Sequence, residues 1–201
     1  MHQFFVSPEQ IHINDKSVMI AGTDVNHIRN VLRMKAGEEI SVSNGQDGRE
    51  YRCSIRSMEE DRIICELRFI KEDRVELPSR VYLFQALPKA DKMELIVQKA
   101  VELGVYKIIP VAAKRCIVRL DERKAASKVQ RWQGIAESAA KQSKRAVIPE
   151  VTNVSCFSEA VRMASAMDVR LIPYELAEDM SKTKERMGAL APGQEIAVFI
   201  G

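Results

Sequence analysis

The sequence predicts an α/β protein in two parts, a small N-terminal β-barrel followed by a domain built on an open parallel sheet. The first part contains several short alternating segments separated by turn signals, which is the pattern of a small barrel. From Val81 onward, apolar strand-like runs alternate with helical patterns, as in parallel sheets whose strands are joined by helices. Residues 71–80 are charged, contain a proline and follow no clean period. We therefore predict a linker there, between domains at residues 1–72 and 78–201.

The N-terminal domain is predicted to contain six short strands and one helix. The strands fall at residues 3–6, 11–13, 18–21, 40–43, 51–57 and 62–70. Thr23 is a candidate N-cap for a helix that continues to Leu32. Its predicted inward residues are Val25, Ile28, Val31 and Leu32. The pairs Asn44-Gly45 and Asp47-Gly48 predict hairpin turns.

A β-α-β unit is the centre of the second domain. Residues 81–87 and 107–111 are apolar runs typical of buried parallel strands. The helix between them has an apolar stripe that includes Met93, Val97 and Val101, and it ends at Gly104, since glycine readily adopts the left-handed conformation. Later helices are predicted from Asp121 to about residue 144, at 158–166 and at 179–190, and strands at 169–173 and 195–200. The long helix has a predicted buried stripe of Ala125, Val129, Trp132, Ala136 and Ala139.

The composition is that of an ordinary globular protein, with 46% hydrophobic residues. No apolar run is long enough to span a bilayer and the N-terminus has no signal pattern, so a cytoplasmic location with no membrane partner is expected. Four cysteines lie far apart, and three histidines share no metal-ligand spacing. We therefore expect reduced thiols and no metal site.

Positive charge is concentrated in one stretch of the sequence. Residues 107–145 contain eleven basic and three acidic side chains, a net charge of +8, against +3 for the whole chain. This distribution favours a face that binds a polyanion over a uniformly basic protein.

Several basic positions have both a functional and an ordinary interpretation. Arg29 and Arg33 are four residues apart, so they are predicted to share a helix face that contacts successive phosphates or is simply solvated. Lys114 lies with Arg115 in a loop after a strand, where functional residues are common. Basic residues also close the long helix, where its dipole favours cations in any case.

Two carboxylates are candidate site residues. Glu102 follows Lys99 by three residues, so an ion pair is the plain interpretation and substrate positioning the alternative. Glu175 follows a strand that ends at Tyr174, where a carboxylate can hold an amino or hydroxyl group of a cofactor. The sequence has no Walker loop, no GxGxxG and no nucleophile elbow, which disfavours phosphoryl transfer and ordinary dinucleotide chemistry.

Four segments together resemble one known family: HIRNVLRMKAGEEI, PKADKMELIVQKAVELGVYKIIPVAAKRC, RWQGIAESAAKQSKRAVIPEV and the final IAVFIG. They are similar to the RsmE-type ribosomal RNA small-subunit methyltransferases of the knotted SPOUT class. The resemblance implies a PUA-like RNA-binding barrel and a SPOUT-type α/β domain with a trefoil knot. It also implies S-adenosyl-L-methionine as cofactor, N3 of a uridine in small-subunit (16S) ribosomal RNA as methyl acceptor, and a homodimer.

The resemblance and the residue patterns together assign site residues. The expected catalytic residues are Arg115, Arg145 and Glu102. The expected cofactor-binding residues are Tyr174, Glu175, Ile200 and Gly201. The expected RNA-binding residues are Arg29, Arg33, Lys35, Lys89, Lys92, Lys114 and Gln142.

The sequence departs from the family at its last strand. In the family, the strand that matches residues 196–200 runs into a Gly-Pro-Glu-Gly-Gly loop, and a further strand and helix complete the knot and the cofactor pocket. Because this sequence stops at Gly201, the expectation is an incomplete knot and a chain that is inactive alone. A non-catalytic RNA-binding protein with a basic platform is the rival hypothesis.

Overall fold

Two six-stranded sheets organise the chain, and each belongs to a separate unit. The computed structural model describes residues 1–72, 76–89, 91–114, 116, 120–174 and 181–201. Unit 1 comprises Met1–Glu76 together with Ala140–Ile148, and unit 2 comprises Leu77–Ala139 together with Pro149–Gly201. The division along the sequence is therefore not linear, since a short late segment belongs to the first unit.

Unit 1 is built on a mixed sheet with the order β1-β4-β5-β6-β3-β2. Its strands are β1 Gln3–Phe5, β2 Ile11–His12, β3 Ser17–Ala21, β4 Glu39–Ser43, β5 Glu50–Met58 and β6 Arg62–Lys71. β1 runs parallel to β4, and the other pairings are antiparallel. Two register shifts in the β5–β6 pair bend the sheet, as bulges do. One apolar cluster, which includes Ile20, Ile40 and Ile63, forms the core.

The helix of unit 1 differs from its prediction at both ends. α1 spans Thr23–Asn26, and a π-helical turn continues it through His27–Val31. Gly22, at φ +75°, precedes the helix as its N-cap, so the predicted Thr23 cap is wrong. In the π turn the Leu32 amide donates to the His27 carbonyl at 2.9 Å, five residues back. This wider turn changes the α-helical period, which explains why Val31, predicted to face inward, is 62% exposed.

Unit 2 contains a sheet in which every strand pairing is parallel. Its order is β10-β8-β7-β12-β11, with β9 also paired to β8. The strands are β7 Arg80–Ala86, β8 Lys107–Ala112, β9 Glu150–Val151, β10 Ser155–Cys156, β11 Val169–Leu171 and β12 Glu195–Ile200. Sequence reasoning missed β9 and β10, because two-residue strands have no measurable period.

Four helices accompany this sheet: α2 Lys92–Glu102, α3 Glu122–Gln142, α4 Phe157–Ser165 and α5 Ser181–Gly188. The predicted stripe of α2 is confirmed, since Met93, Val97 and Val101 are buried. α4 buries Ala160 and Ala164 in a cluster with Phe84, Ile109 and Val111 of the sheet. Within the part of the chain that the structure describes, no helix combines the length and the apolar content needed to cross a membrane.

The thiols of unit 1 and unit 2 have different environments. Cys53 and Cys65 are buried in unit 1, whereas in unit 2 Cys116 is half-buried and Cys156 is exposed. Burial raises the pKa of Cys53 and of Cys65 to about 12, and the negative charge of Cys65 adds to the effect on Cys53. These two side chains therefore stay neutral at ordinary pH and act as small apolar residues in the core.

Gly104, which ends α2, should not tolerate a side chain. Its φ is +94°, and a Cβ atom there would lie 2.9 Å from Leu77 Cγ. We expect Gly104→Ala to lower the free energy of unfolding by at least about 1 kcal/mol, because alanine is strained in this conformation. Gly134→Ala is the matched control, since Gly134 is helical with open space around it. That change should raise stability by up to about 1 kcal/mol. Urea unfolding measures both, and equal effects would contradict the predicted strain at Gly104.

Candidate active site

The parallel strands of unit 2 all end at the same edge of the sheet, and ligands of open α/β sheets bind beyond this edge. β11 is followed there by Ile172, Pro173 and Tyr174, and β12 reaches Ile200 and Gly201. β11 and β12 are adjacent, with Leu171 aligned to Val198. We call the surface formed by Ile172, Tyr174, Ile200 and Gly201 the β11–β12 edge. It brings together three of the four predicted cofactor residues, while Glu175 lies outside the described residues.

The β11–β12 edge exposes unusually large apolar side chains. Ile172 is 70% exposed, Tyr174 67% and Ile200 37%. Single exposed apolar residues need no explanation, but these three lie at or just beyond the ends of two adjacent strands, so exposed apolar surface is concentrated at this edge. Such a surface suits a flat, largely apolar group such as a purine ring.

A second recess lies at the ends of the neighbouring strands β7 and β8. This β7–β8 cleft has a volume of about 400 Å³. Leu87, Leu120 and Val154 provide apolar walls, and Lys114 and Cys116 are the polar members of the cleft. Ala112, the last residue of β8, and Ala113 complete the lining. An adjoining pocket shares Leu87 and Leu120 but measures only about 30 Å³, room for little more than one water molecule. Arg115, a predicted catalytic residue, lies outside the described residues.

Lys89 and Lys92 are exposed where β7 passes into α2. Cations near the start of a helix oppose its dipole, so helix stability does not account for their position. The RNA-binding role predicted for both residues remains a prediction.

The structure does not bring Glu102 to this edge of the sheet. α2 starts after the end of β7 and returns to the start of β8, so its last residue, Glu102, lies at the opposite edge. Its carboxylate lies 2.7 Å from Lys99 Nζ and accepts a hydrogen bond from Gln98 Nε2 at 2.9 Å. These two contacts, that with Lys99 first, hold the pKa of Glu102 below its usual value. The ordinary ion-pair interpretation therefore describes this residue.

Unit 1 holds the predicted RNA-binding residues Arg29, Arg33 and Lys35, all exposed. Arg29 Nη1 donates to the carbonyl oxygens of Glu59 and Glu60 at 2.9 and 3.3 Å, which fastens the helix to the β5–β6 turn. The prediction that Arg29 and Arg33 share a helix face is wrong. The helix ends at Val31, and Arg33 adopts a left-handed conformation with φ +53°.

The predicted catalytic residue Arg145 is buried in unit 1, with only 3% of its surface exposed. Its Nε donates to Glu76 Oε1 at 3.1 Å, and its Nη2 contacts Glu76 Oε2. Its carbonyl accepts a hydrogen bond from Gln3 Nε2 at 2.9 Å. A guanidinium held in this way supports the protein and is not presented to a nucleotide.

The contacts of Arg145 belong to a set that attaches residues 140–148 to unit 1. Lys141 Nζ lies 3.6 Å from Asp24 Oδ2, and Gly45 forms a parallel bridge with Val147. Gln142 and Lys144 are exposed on the same segment, and Lys144 has a left-handed φ of +57°. Gln142 and Lys144 therefore remain available to a partner.

Ion pairs neutralise much of the basic segment identified in the sequence. The structure describes nine of its eleven basic residues, and five of these pair with a carboxylate: Lys107 with Glu150, Lys124 with Asp121, Arg131 with Glu94, Lys141 with Asp24 and Arg145 with Glu76. The sequence-level charge of +8 thus overstates the charge available to a polyanion. Within the described chain, no group of three His, Cys, Asp or Glu side chains could hold a metal ion.

Sequence reasoning missed two polar residues with defined positions. Gln85 lies in the central strand β7, is 3% exposed and donates to the Ala86 carbonyl at 3.0 Å. A glutamine within an apolar run is a signal that could have identified it. Glu76, the partner of Arg145, lies among other charged residues of the predicted linker, so no sequence pattern identified it as an ion-pair partner.

Two family models match consecutive parts of the chain. The model of the RNA methyltransferase PUA domain family matches residues 20–68, and that of the RNA methyltransferase domain family matches residues 75–201. Fold and matches together define an RNA methyltransferase with an N-terminal PUA-like domain.

Relatives identify the particular family. The ribosomal RNA small subunit methyltransferase E of Bacillus subtilis is 34% identical over 206 residues, which cover all of this chain and 80% of that protein. The Mycobacterium tuberculosis protein of the same name is 31% identical over 137 residues, 68% of this chain and 51% of the relative. This chain therefore belongs to the ribosomal RNA small subunit methyltransferase E family, as its sequence motifs predicted.

Solved structures support the same assignment. The Neisseria gonorrhoeae ribosomal RNA small subunit methyltransferase E, solved with S-adenosyl methionine, matches with a TM-score of 0.77 and 29% identity. That match covers 99% of this chain and 79% of the solved one. A crystal structure described as a hypothetical protein matches with a TM-score of 0.88 and 33% identity, covering 98% of this chain and 79% of that one. The predicted PUA-like domain and parallel α/β domain are thereby confirmed.

Removing the charge of Glu76 should destabilise the protein, because the buried Arg145 would lose its anionic partner. We expect Glu76→Gln to lower the free energy of unfolding by about 3 kcal/mol, the lower end for a buried pair, since Glu76 is 27% exposed. The matched control is Glu59→Gln in the exposed pair with Arg62, where the loss should stay below about 1 kcal/mol. Chemical denaturation measures both, and similar losses in the two variants would argue against a structural role for Arg145.

Proposed function

We propose that this chain transfers a methyl group from S-adenosyl-L-methionine to small-subunit ribosomal RNA, with N3 of a uridine as the acceptor. The supporting observation is the gathering of Ile172, Tyr174, Ile200 and Gly201 at one edge of a parallel sheet, in a chain that matches this family along its whole length. Relatives named as ribosomal RNA small subunit methyltransferases support the substrate, and the Neisseria structure with S-adenosyl methionine supports the cofactor.

The β11–β12 edge fits the cofactor in this proposal. Tyr174 and Ile172 offer exposed apolar surface for the adenine ring, and Gly201 has no side chain to obstruct an approach to the end of β12. When bound, S-adenosyl-L-methionine supplies a methyl group on a positively charged sulfur. Glu175, as a carboxylate after β11, is proposed to hold a hydroxyl or amino group of the cofactor.

The exposed basic residues are proposed to position the RNA. Arg29, Arg33 and Lys35 present charge on unit 1, and Lys89 and Lys92 present it beside the carboxyl edge in unit 2. Contacts of this kind fix the register of an RNA strand without reading its sequence. Among the predicted catalytic residues, Arg115 is kept as the group that stabilises the anionic acceptor. Arg145 and Glu102 are assigned structural roles because their contacts are internal.

The methyl acceptor requires deprotonation and alignment. A uridine N3 carries a weakly acidic proton, and its nitrogen attacks readily only after that proton leaves. A nearby cation lowers the free energy of the resulting anion, and fixed positions of both reactants supply much of the remaining acceleration. Because a paired base hides its N3, the target must be unpaired or extruded.

Deleting the gene for this protein should abolish one methylated uridine in the small-subunit RNA of the source organism. Mass spectrometry of nuclease digests compares N3-methyluridine in the two strains. Small subunits from the deletion strain should then accept label from methyl-labelled S-adenosyl-L-methionine when the protein, expressed from its whole reading frame, is added. The rival hypothesis, an RNA-binding protein without chemistry, predicts unchanged methylation in both experiments. A label found on another atom would refute the N3 assignment but not the methyl transfer.

The same assay tests the catalytic assignment. Arg115→Ala should reduce methyl transfer by about 100-fold, since it removes a group that stabilises transition-state charge. Arg186→Ala is the control, because Arg186 is exposed on α5 and has no role in the proposed site. A normal rate for Arg115→Ala would remove this residue from the mechanism.

We also propose that the protein acts as a homodimer in the cytoplasm, where its ribosomal substrate is found. α4 supports a partner surface, since Phe157, Val161 and Met163 are 51%, 46% and 45% exposed on this one short helix. Light scattering should give twice the chain mass, and Val161→Asp should shift the population towards the monomer. A monomeric mass for the unmodified protein would contradict the proposal.

A further inference from the structure

The β7–β8 cleft has the size and lining of a small-molecule site. Its volume of about 400 Å³ lies within the range of about 300–1,000 Å³ that is usual for such sites. This volume is sufficient for one nucleoside. Leu87, Leu120 and Val154 give apolar contact for a flat ring, and the short side chains of Ala112 and Ala113 leave the end of β8 open.

The cleft also carries a cation, Lys114. Other lysines of unit 2, such as Lys99 and Lys107, lie 2.7 Å from a carboxylate. Lys114 is exposed and lines the cleft, and the described residues offer its ammonium no ion pair. An ammonium beside apolar walls, without a protein anion, suits a ligand that is flat and bears negative charge.

The position of the cleft relates it to the β11–β12 edge. β7 lies between β8 and β12, so the ends of β8 and β12 are two strand spacings apart, about 10 Å. Gln85 of β7 aligns with both Pro110 of β8 and Ile200 of β12, which sets the strand ends at one level. A base in the cleft would therefore lie next to the edge that we propose for the cofactor.

We propose that the β7–β8 cleft receives the unpaired pyrimidine base that is methylated, and that Lys114 shares with Arg115 the stabilisation of the negative charge on its imide. This inference rests on the proposed function. The N3 proton passes to water, and the charge spreads over N3 and the two ring carbonyl oxygens, one of which accepts a hydrogen bond from Lys114 Nζ. The N3 electron pair then forms the bond to the methyl carbon, while the carbon–sulfur bond breaks and its electrons remain on sulfur.

Cys116 provides a test of occupancy that needs no catalysis, because it lines the cleft. We would measure iodoacetamide alkylation of each cysteine by mass spectrometry, with and without an oligoribonucleotide that has one unpaired uridine. A second oligonucleotide, abasic at that position, is the matched control. The uridine RNA should slow alkylation of Cys116 severalfold and the abasic RNA should not. Exposed Cys156, which does not line the cleft, should react at the same rate throughout.

Substitution of Lys114 tests whether its positive charge stabilises the imide anion. We expect Lys114→Met to lower kcat about 100-fold at neutral pH with little change in KM for the RNA. The deficit should shrink as pH rises, because the imide then ionises without help, and Lys114→Arg should keep most of the rate. Lys124→Met, which removes an exposed lysine paired with Asp121, should leave methylation unchanged. A deficit that is constant across pH would assign Lys114 to RNA or structural contacts.

A cleft-filling variant keeps the inference testable if a Lys114 variant folds poorly. Ala113→Leu should abolish protection of Cys116 by the uridine RNA, whereas Ala126→Leu on the exposed face of α3 should not. Equal protection by the two oligonucleotides, in a protein that still methylates ribosomal RNA, would overturn the base-binding cleft and leave the proposed function intact. Uridine-dependent protection in a protein that methylates no RNA would instead overturn the proposed function and leave a base-binding cleft.

Discussion

The insertion of β12 between β7 and β11 is the constraint on which unit 2 depends. Six residue pairs align β12 with β7, from Glu195 with Arg80 to Ile200 with Gln85. The rings of Phe84 and Phe199 stack across this pairing with centroids 4.5 Å apart. β11 pairs with β12, so the position of Tyr174 beyond β11 follows from the same register. The site is thus built by contacts between the first and the last strand of the unit, and such non-local pairings form slowly in folding.

Charge has two separate uses in this molecule. Several basic residues on the helices, such as Lys99, Lys124 and Arg131, pair with a carboxylate. Arg145 pairs with Glu76 and is buried, so this carboxylate takes the place of water around the guanidinium. Lys89, Lys92 and Lys114 lie near strand ends, and the described residues give them no acidic partner. This contrast separates charges that stabilise the protein from charges that remain available to RNA, a distinction that net charge alone does not make.

The sequence predicted the secondary-structure elements well but the contacts of individual side chains poorly, and both results have physical reasons. Periodicity in α2 and in the apolar runs of β7, β8 and β12 follows directly from burial, and Gly104 marked a turn that needs a positive φ. The family motifs identified Tyr174, Ile200 and Gly201 as candidates. The three residues lie at the same edge of the sheet because parallel strands all end there. Arg145 was misread, because a basic residue after a helix has the same appearance whether it meets RNA or Glu76. The β7–β8 cleft was not predictable either, since its walls come from segments far apart in sequence.

The π-helical turn at His27–Val31 sets the direction of the segment that follows it. Such a turn contains one residue more than the α-helical turn it replaces. Loss of one residue there would restore an ordinary helix and rotate every later position by about 100° around its axis. Arg33 and Lys35, which follow the helix, would then point in a different direction, although their charges would be unchanged. The number of residues in the turn, as well as their identity, therefore sets the orientation of this basic segment. We expect an insertion or deletion there to weaken the proposed RNA binding as much as loss of an arginine would.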